Sequence, residues 1–80
     1  MPRDVNYEEL FKQLNHAKDT TTLFEVECGS VVVAKREYMK AMRLLKSLHF
    51  PNVFISRSGS VLTLSYSDEN ITVLKVSSNG

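Results

Sequence analysis

Eighty residues, 42% hydrophobic and 24% charged, give one domain spanning 1–80, with room for a single core and no second lobe. The mixture excludes a disordered or fibrous chain, and no apolar run approaches the roughly 20 residues that a membrane helix needs. One cysteine, Cys28, and two histidines, His16 and His49, exclude a disulfide framework and a zinc ribbon, so no cofactor is expected.

The first helix opens at Asn6-Tyr7-Glu8-Glu9, where Asn6 can cap the backbone N–H of Glu9, and Val5 and Leu10 stand at staple positions. Tyr7, Leu10, Phe11 and Leu14 recur at i, i+3, i+4 and i+7 and predict one apolar stripe ending near Lys18. Leu23 to Glu27 alternates and predicts a strand with Phe24 and Val26 on one face and two glutamates on the other. Cys28-Gly29-Ser30 reads as a hairpin turn that leaves Cys28 accessible, and the valine-rich stretch Val31 to Ala34 as the returning strand.

A second helix is predicted over 36–49, halted by Phe50-Pro51. Tyr38, Ala41, Met42, Leu44, Leu45 and Leu48 gather on its inward arc, and His49 falls with them as a packing histidine. Val53 to Ser56 and Val61 to Tyr66 predict a second hairpin around Ser58-Gly59-Ser60, and Ile71 to Val76 a last strand before a frayed tail. The expected fold is α+β: a two-layer sandwich in the order α-β-β-α-β-β-β, with a mostly antiparallel sheet of about five strands and both helices on one face. A thirty-residue offset superimposes Leu14 on Leu44, Phe24 on Phe54 and Gly29-Ser30-Val31 on Gly59-Ser60-Val61. That coincidence admits an α-β-β internal repeat, although any hairpin favours glycine at its tip.

Function is written mainly in the charge. Lys35, Arg36, Lys40, Arg43 and Lys46 fall within twelve positions, and Arg57 follows with Glu37 the only acid among them, so residues 35–57 carry a local +5. The rest of the chain sums to −4, and the net charge of +1 conceals a dipolar molecule. Arg36, Lys40, Arg43 and Lys46 share the outward arc of the second helix. Like charges at i, i+3 and i, i+4 cost a helix a few tenths of a kcal/mol, which a polyanion would repay. Two of the four are arginines, whose planar fork suits phosphate, and Lys35 and Arg57 could widen the patch. The bland alternative is a solvated face neutralised from elsewhere in the fold, by Glu25 and Glu27 for example.

Met39 lies among those cations, where a soluble helix has no use for it, and an apolar centre with a charged rim suits a protein partner. No Ser-His-Asp set, paired carboxylates or phosphate-cradling glycine loop can be assembled, so catalysis is not expected. The leading expectation is a small non-enzymatic module that engages an anionic surface, nucleic-acid backbone first, through Lys35, Arg36, Lys40, Arg43, Lys46 and Arg57. The alternative is a protein-interaction module, a small inhibitor or regulatory adaptor, that uses Met39 and the open sheet face. A homodimer would double the cationic surface. Met1-Pro2-Arg3-Asp4 lacks the apolar stretch of a secretory leader, so a cytoplasmic, membrane-free setting is expected.

Overall fold

The computed structural model describes residues 5–67, in the order α1 (Tyr7–Ala17), β1 (Leu23–Glu27), α2 (Val31–Leu48), β2 (Val53–Ser58) and β3 (Val61–Tyr66). Among the described residues the sheet has three strands in the order β1-β3-β2, both pairings antiparallel. This corrects the expected five-stranded order α-β-β-α-β-β-β to α-β-α-β-β. The strand expected at Ile71 to Val76, and the tail after it, lie outside the described residues.

The physical cause of the correction sits at residues 28–34. Gly29 takes a positive φ of 85°, and Ser30 is extended at φ −154° and ψ 160°. The Ser30 hydroxyl oxygen accepts from the Val33 N–H at 3.2 Å, and the Ser30 carbonyl accepts the Ala34 N–H at 3.0 Å. Ser30 is therefore a helix N-cap, and Val31 to Ala34 are the first turn of an 18-residue helix rather than a returning strand. Valines cost a helix roughly 0.5 kcal/mol each relative to alanine. The cap contributes about 1 kcal/mol, and extending an existing helix requires no new nucleus. Ala34 also begins the stripe that continues through Tyr38, Ala41, Leu45 and Leu48, and both alanines are fully buried.

The α-β-β repeat falls with that strand. Gly29-Ser30-Val31 enters a helix, whereas Gly59-Ser60-Val61 turns a hairpin in which Ser58 pairs with Val61. What the two sites share is a glycine at positive φ, 85° and 61°. That is a backbone requirement, and each site meets it independently.

α1 forms as its sequence dictates: Asn6 Oδ1 accepts the Glu9 N–H at 3.1 Å, and Lys18 ends the helix in the left-handed region with its N–H on Leu14 O. Both helices cover one sheet face, α2 against β2 and β3, α1 against β3 and α2. Tyr7, Phe11 and Leu14 meet Ala34, Ala41 and Leu45 above Val26, Val53, Ile55, Leu62 and Leu64. The register sets the opposite face: Leu23, Ser65 and Phe54 form one row, Glu25, Thr63 and Ser56 the next, Glu27, Val61 and Ser58 the last. Phe54 thus points away from the core and is 39% exposed. Val31, Val32 and Val33, being helical, contribute nothing to that face, so it is mostly polar.

Cys28 is 1% exposed, not displayed at a hairpin tip. Its Sγ lies 3.8 Å from the Val26 carbonyl, and its N–H donates to Ser60 O at 2.8 Å. Burial, then the charges of Glu37 and Glu27, push the thiol above its ordinary range. Cys28 is therefore expected to resist a charged disulfide reagent in the native protein and to react stoichiometrically in denaturant. A native reaction at the rate of a free thiol would contradict its burial.

Candidate functional site

α2 presents its outer surface to solvent on the side of the molecule opposite the open sheet face. Winding the sequence at about 100° per residue orders the exposed side chains from Val32 to Ser47 across an arc of about 140°, with exposed Val31 at the start of the helix just outside it. They run Lys35, Lys46, Met39, Val32, Arg43, Arg36, Ser47, Lys40, and every one of them is exposed. The helix therefore brings together five of the six cations singled out in the sequence, with Met39 among them. Arg57 stands apart on β2. The Cys28–Ser60 backbone bond places the β2–β3 turn at the end of the sheet where α2 begins, and Arg57 lies beside that turn. Its guanidinium donates to the Gly59 carbonyl at 2.9 Å.

Val32 joins this face only because residues 31–34 are helical; as the strand that their β-branched run predicts, they would not belong to it. At 72% exposure Val32 is more open than Met39 at 57%, and the two, seven residues apart, form an apolar line down the middle of the basic arc. The discriminating signal was Ser30: a serine preceding a helical-period stripe that begins at Ala34 marks a helix start.

None of the five α2 cations makes an ion pair or a hydrogen bond among the described residues; the ion pair found there joins Lys12 to Glu8 on α1 at 2.9 Å. Glu25 and Glu27 lie beyond the sheet, on its open face. Glu27 is occupied, accepting from the Ser60 hydroxyl at 2.7 Å and the Gly29 N–H at 2.9 Å, and both bonds hold its pKa below the ordinary carboxylate value. These contacts tie the β1–α2 loop to the β2–β3 turn.

Glu37, the single acid of α2, is withdrawn from the basic face. The Tyr7 hydroxyl donates to Glu37 Oε1 at 2.8 Å, which links α1 to α2. Burial first, then the bond and charge of Glu37, hold the Tyr7 phenol far above its ordinary range. Tyr7→Phe should cost about 1–2 kcal/mol, since the bond is to a charged acceptor but only partly shielded. It also frees Glu37 to pair with Lys40 at i+3. Urea denaturation measures the first effect, and unchanged stability would contradict the bond's role.

His49 does not pack inward as its position on the helical wheel implies. It is exposed and terminates α2 in the left-handed region at φ 57°. With Leu45, Lys46, Phe50 and Pro51 it borders an open, largely apolar depression of about 490 Å³. No group of three His, Cys, Asp or Glu side chains that could hold a metal occurs among the described residues. No helix there is long and apolar enough to cross a membrane. Compared with protein-family models, with curated proteins and with solved structures, the chain matches none.

Proposed function

We propose that the protein is a non-enzymatic, cytoplasmic binding module that engages nucleic-acid backbone through the outer face of α2, with Lys35, Arg36, Lys40, Arg43 and Lys46 as phosphate contacts and Arg57 in support. One observation carries this: five exposed cations on one helix face have no carboxylate partner among the described residues, while the nearest acid in the sequence, Glu37, is bonded to Tyr7. Unbalanced charge on one face steers and holds polyanions. Neutralising four or five phosphates gives a slope of about −4 for log affinity against log salt. Anisotropy titration of a labelled DNA duplex between low and physiological salt measures it. A flat salt response, or no binding at low salt, would remove the proposal.

A second reading, capture of a protein partner, is favoured by the exposure of Val32 and Met39 inside a cationic rim. Its contact surface would be α2 alone. Met39 and the open sheet face look in opposite directions, so one partner patch cannot contain both.

A further inference from the structure

We infer that α2 lies lengthwise in the major groove of B-form duplex DNA, with Val32, Met39 and Arg43 towards the base edges and the remaining cations towards the two backbones. This rests on the backbone-binding function proposed above, turns Arg43 from a phosphate to the bases, and adds the form of the nucleic acid and the orientation of the helix.

The order of side chains across the exposed arc is what distinguishes a groove from a flat polyanion. Lys35 and Lys46 occupy one flank, Arg36 and Lys40 the other, and the apolar pair runs between them with Arg43 alongside. A helix meant only to sit on phosphates gains nothing from an apolar midline, because exposed apolar surface is better buried or replaced by charge. In a groove the two flanks face the two strands, and the midline faces the base pairs. The B-DNA major groove, about 12 Å wide, admits an α-helix, and thymine presents its methyl group there to apolar side chains. Arginine beside the midline can bond guanine through O6 and N7. From Val32 to Arg43 the helix rises about 16 Å, roughly five base-pair steps at 3.4 Å each. α2 is able to enter because its covered side is its inner one: sheet and α1 support it from behind, and no described residue covers its outward arc across Val32 to Ser47. The acidic rows of the sheet, Glu25 and Glu27, are kept on the far side from the duplex.

A-form RNA has a major groove too deep and narrow for side chains to read, and this makes the test direct. The wild-type protein is titrated at several salt concentrations, matched between ligands, with a 16-base-pair A·T-rich DNA duplex, the RNA duplex of the same sequence, the DNA duplex with every thymine replaced by uracil, and poly-glutamate. The inference expects the DNA duplex to bind at least about tenfold tighter than the RNA duplex. Removing the thymine methyls should weaken binding severalfold, and a Val32→Ala, Met39→Ala variant should lose that sensitivity while keeping its salt slope. Equal affinity for the DNA and RNA duplexes, each with a slope near −4, would overturn the groove placement and leave backbone binding standing. Undiminished affinity for the uracil duplex would overturn the placement of Val32 and Met39. Absence of binding to every nucleic acid, or tighter binding to poly-glutamate than to DNA, would overturn both the groove and the backbone function.

Discussion

Phe11→Ala is expected to destabilise the protein by about 3–5 kcal/mol, the range for deleting a fully buried aromatic side chain. Phe11 has no exposed surface, and its ring lies 6.4 Å from that of Tyr7 at an interplanar angle of 29°. It sits where α1 meets α2 above the central strand, so the surrounding side chains belong to three elements and cannot all close on the cavity. At roughly 0.05–0.15 kcal/mol per residue, an 80-residue domain has about 4–12 kcal/mol in total. The variant should therefore lie near its folding threshold, with Tm lowered by more than about 12 °C. Phe54→Ala on the open sheet face is the control, with an expected loss under about 1 kcal/mol. Thermal and urea unfolding followed by circular dichroism separate the two. Similar losses in both variants would mean that the core has been assigned to the wrong sheet face.

The second large effect is on binding. Replacing Arg36, Lys40 and Lys46 together by alanine is expected to flatten the salt slope from about −4 to near −1, since each lost phosphate contact removes about 0.9. At 0.1 M salt, three contacts at 0.9 log units per decade below 1 M amount to about 2.7 log units, a loss of several hundredfold. All three side chains are exposed and make no contact that holds the fold among the described residues, and alanine favours helix. The variant should keep the wild-type unfolding midpoint, so lost affinity reports on binding rather than on folding. An unchanged slope would show that the phosphates are held elsewhere.

Much of this was legible in the chain, and the exceptions have identifiable causes. The period of Tyr7, Phe11 and Leu14, the alternation of Leu23 to Glu27 and the glycine at residue 59 each reflect a short-range constraint, and each took its expected form. Val31-Val32-Val33 did not, because β-branched side chains express a preference of only tenths of a kcal/mol, which a cap and a growing helix outweigh. Reading those three residues as a strand also implies an extra strand and an accessible Cys28 and hides Val32, since each of these depends on where α2 begins. The clustering of cations is a property of the sequence. Their lack of partners among the described residues is not, because it depends on Glu37 turning to Tyr7 and on the sheet placing Glu25 and Glu27 on the far side.

The proposed contact surface is the set of cations on the outer face of α2 that have no carboxylate partner among the described residues. The most direct measurement is nuclear magnetic resonance of the isotopically labelled protein during titration with a short DNA duplex. Shift changes and line broadening should concentrate on Val32, Arg36, Met39, Lys40, Arg43 and Ser47, with a weaker response at Arg57 and none at Glu25, Thr63 and Phe54. A response centred on the open sheet face, with α2 unaffected, would contradict the account.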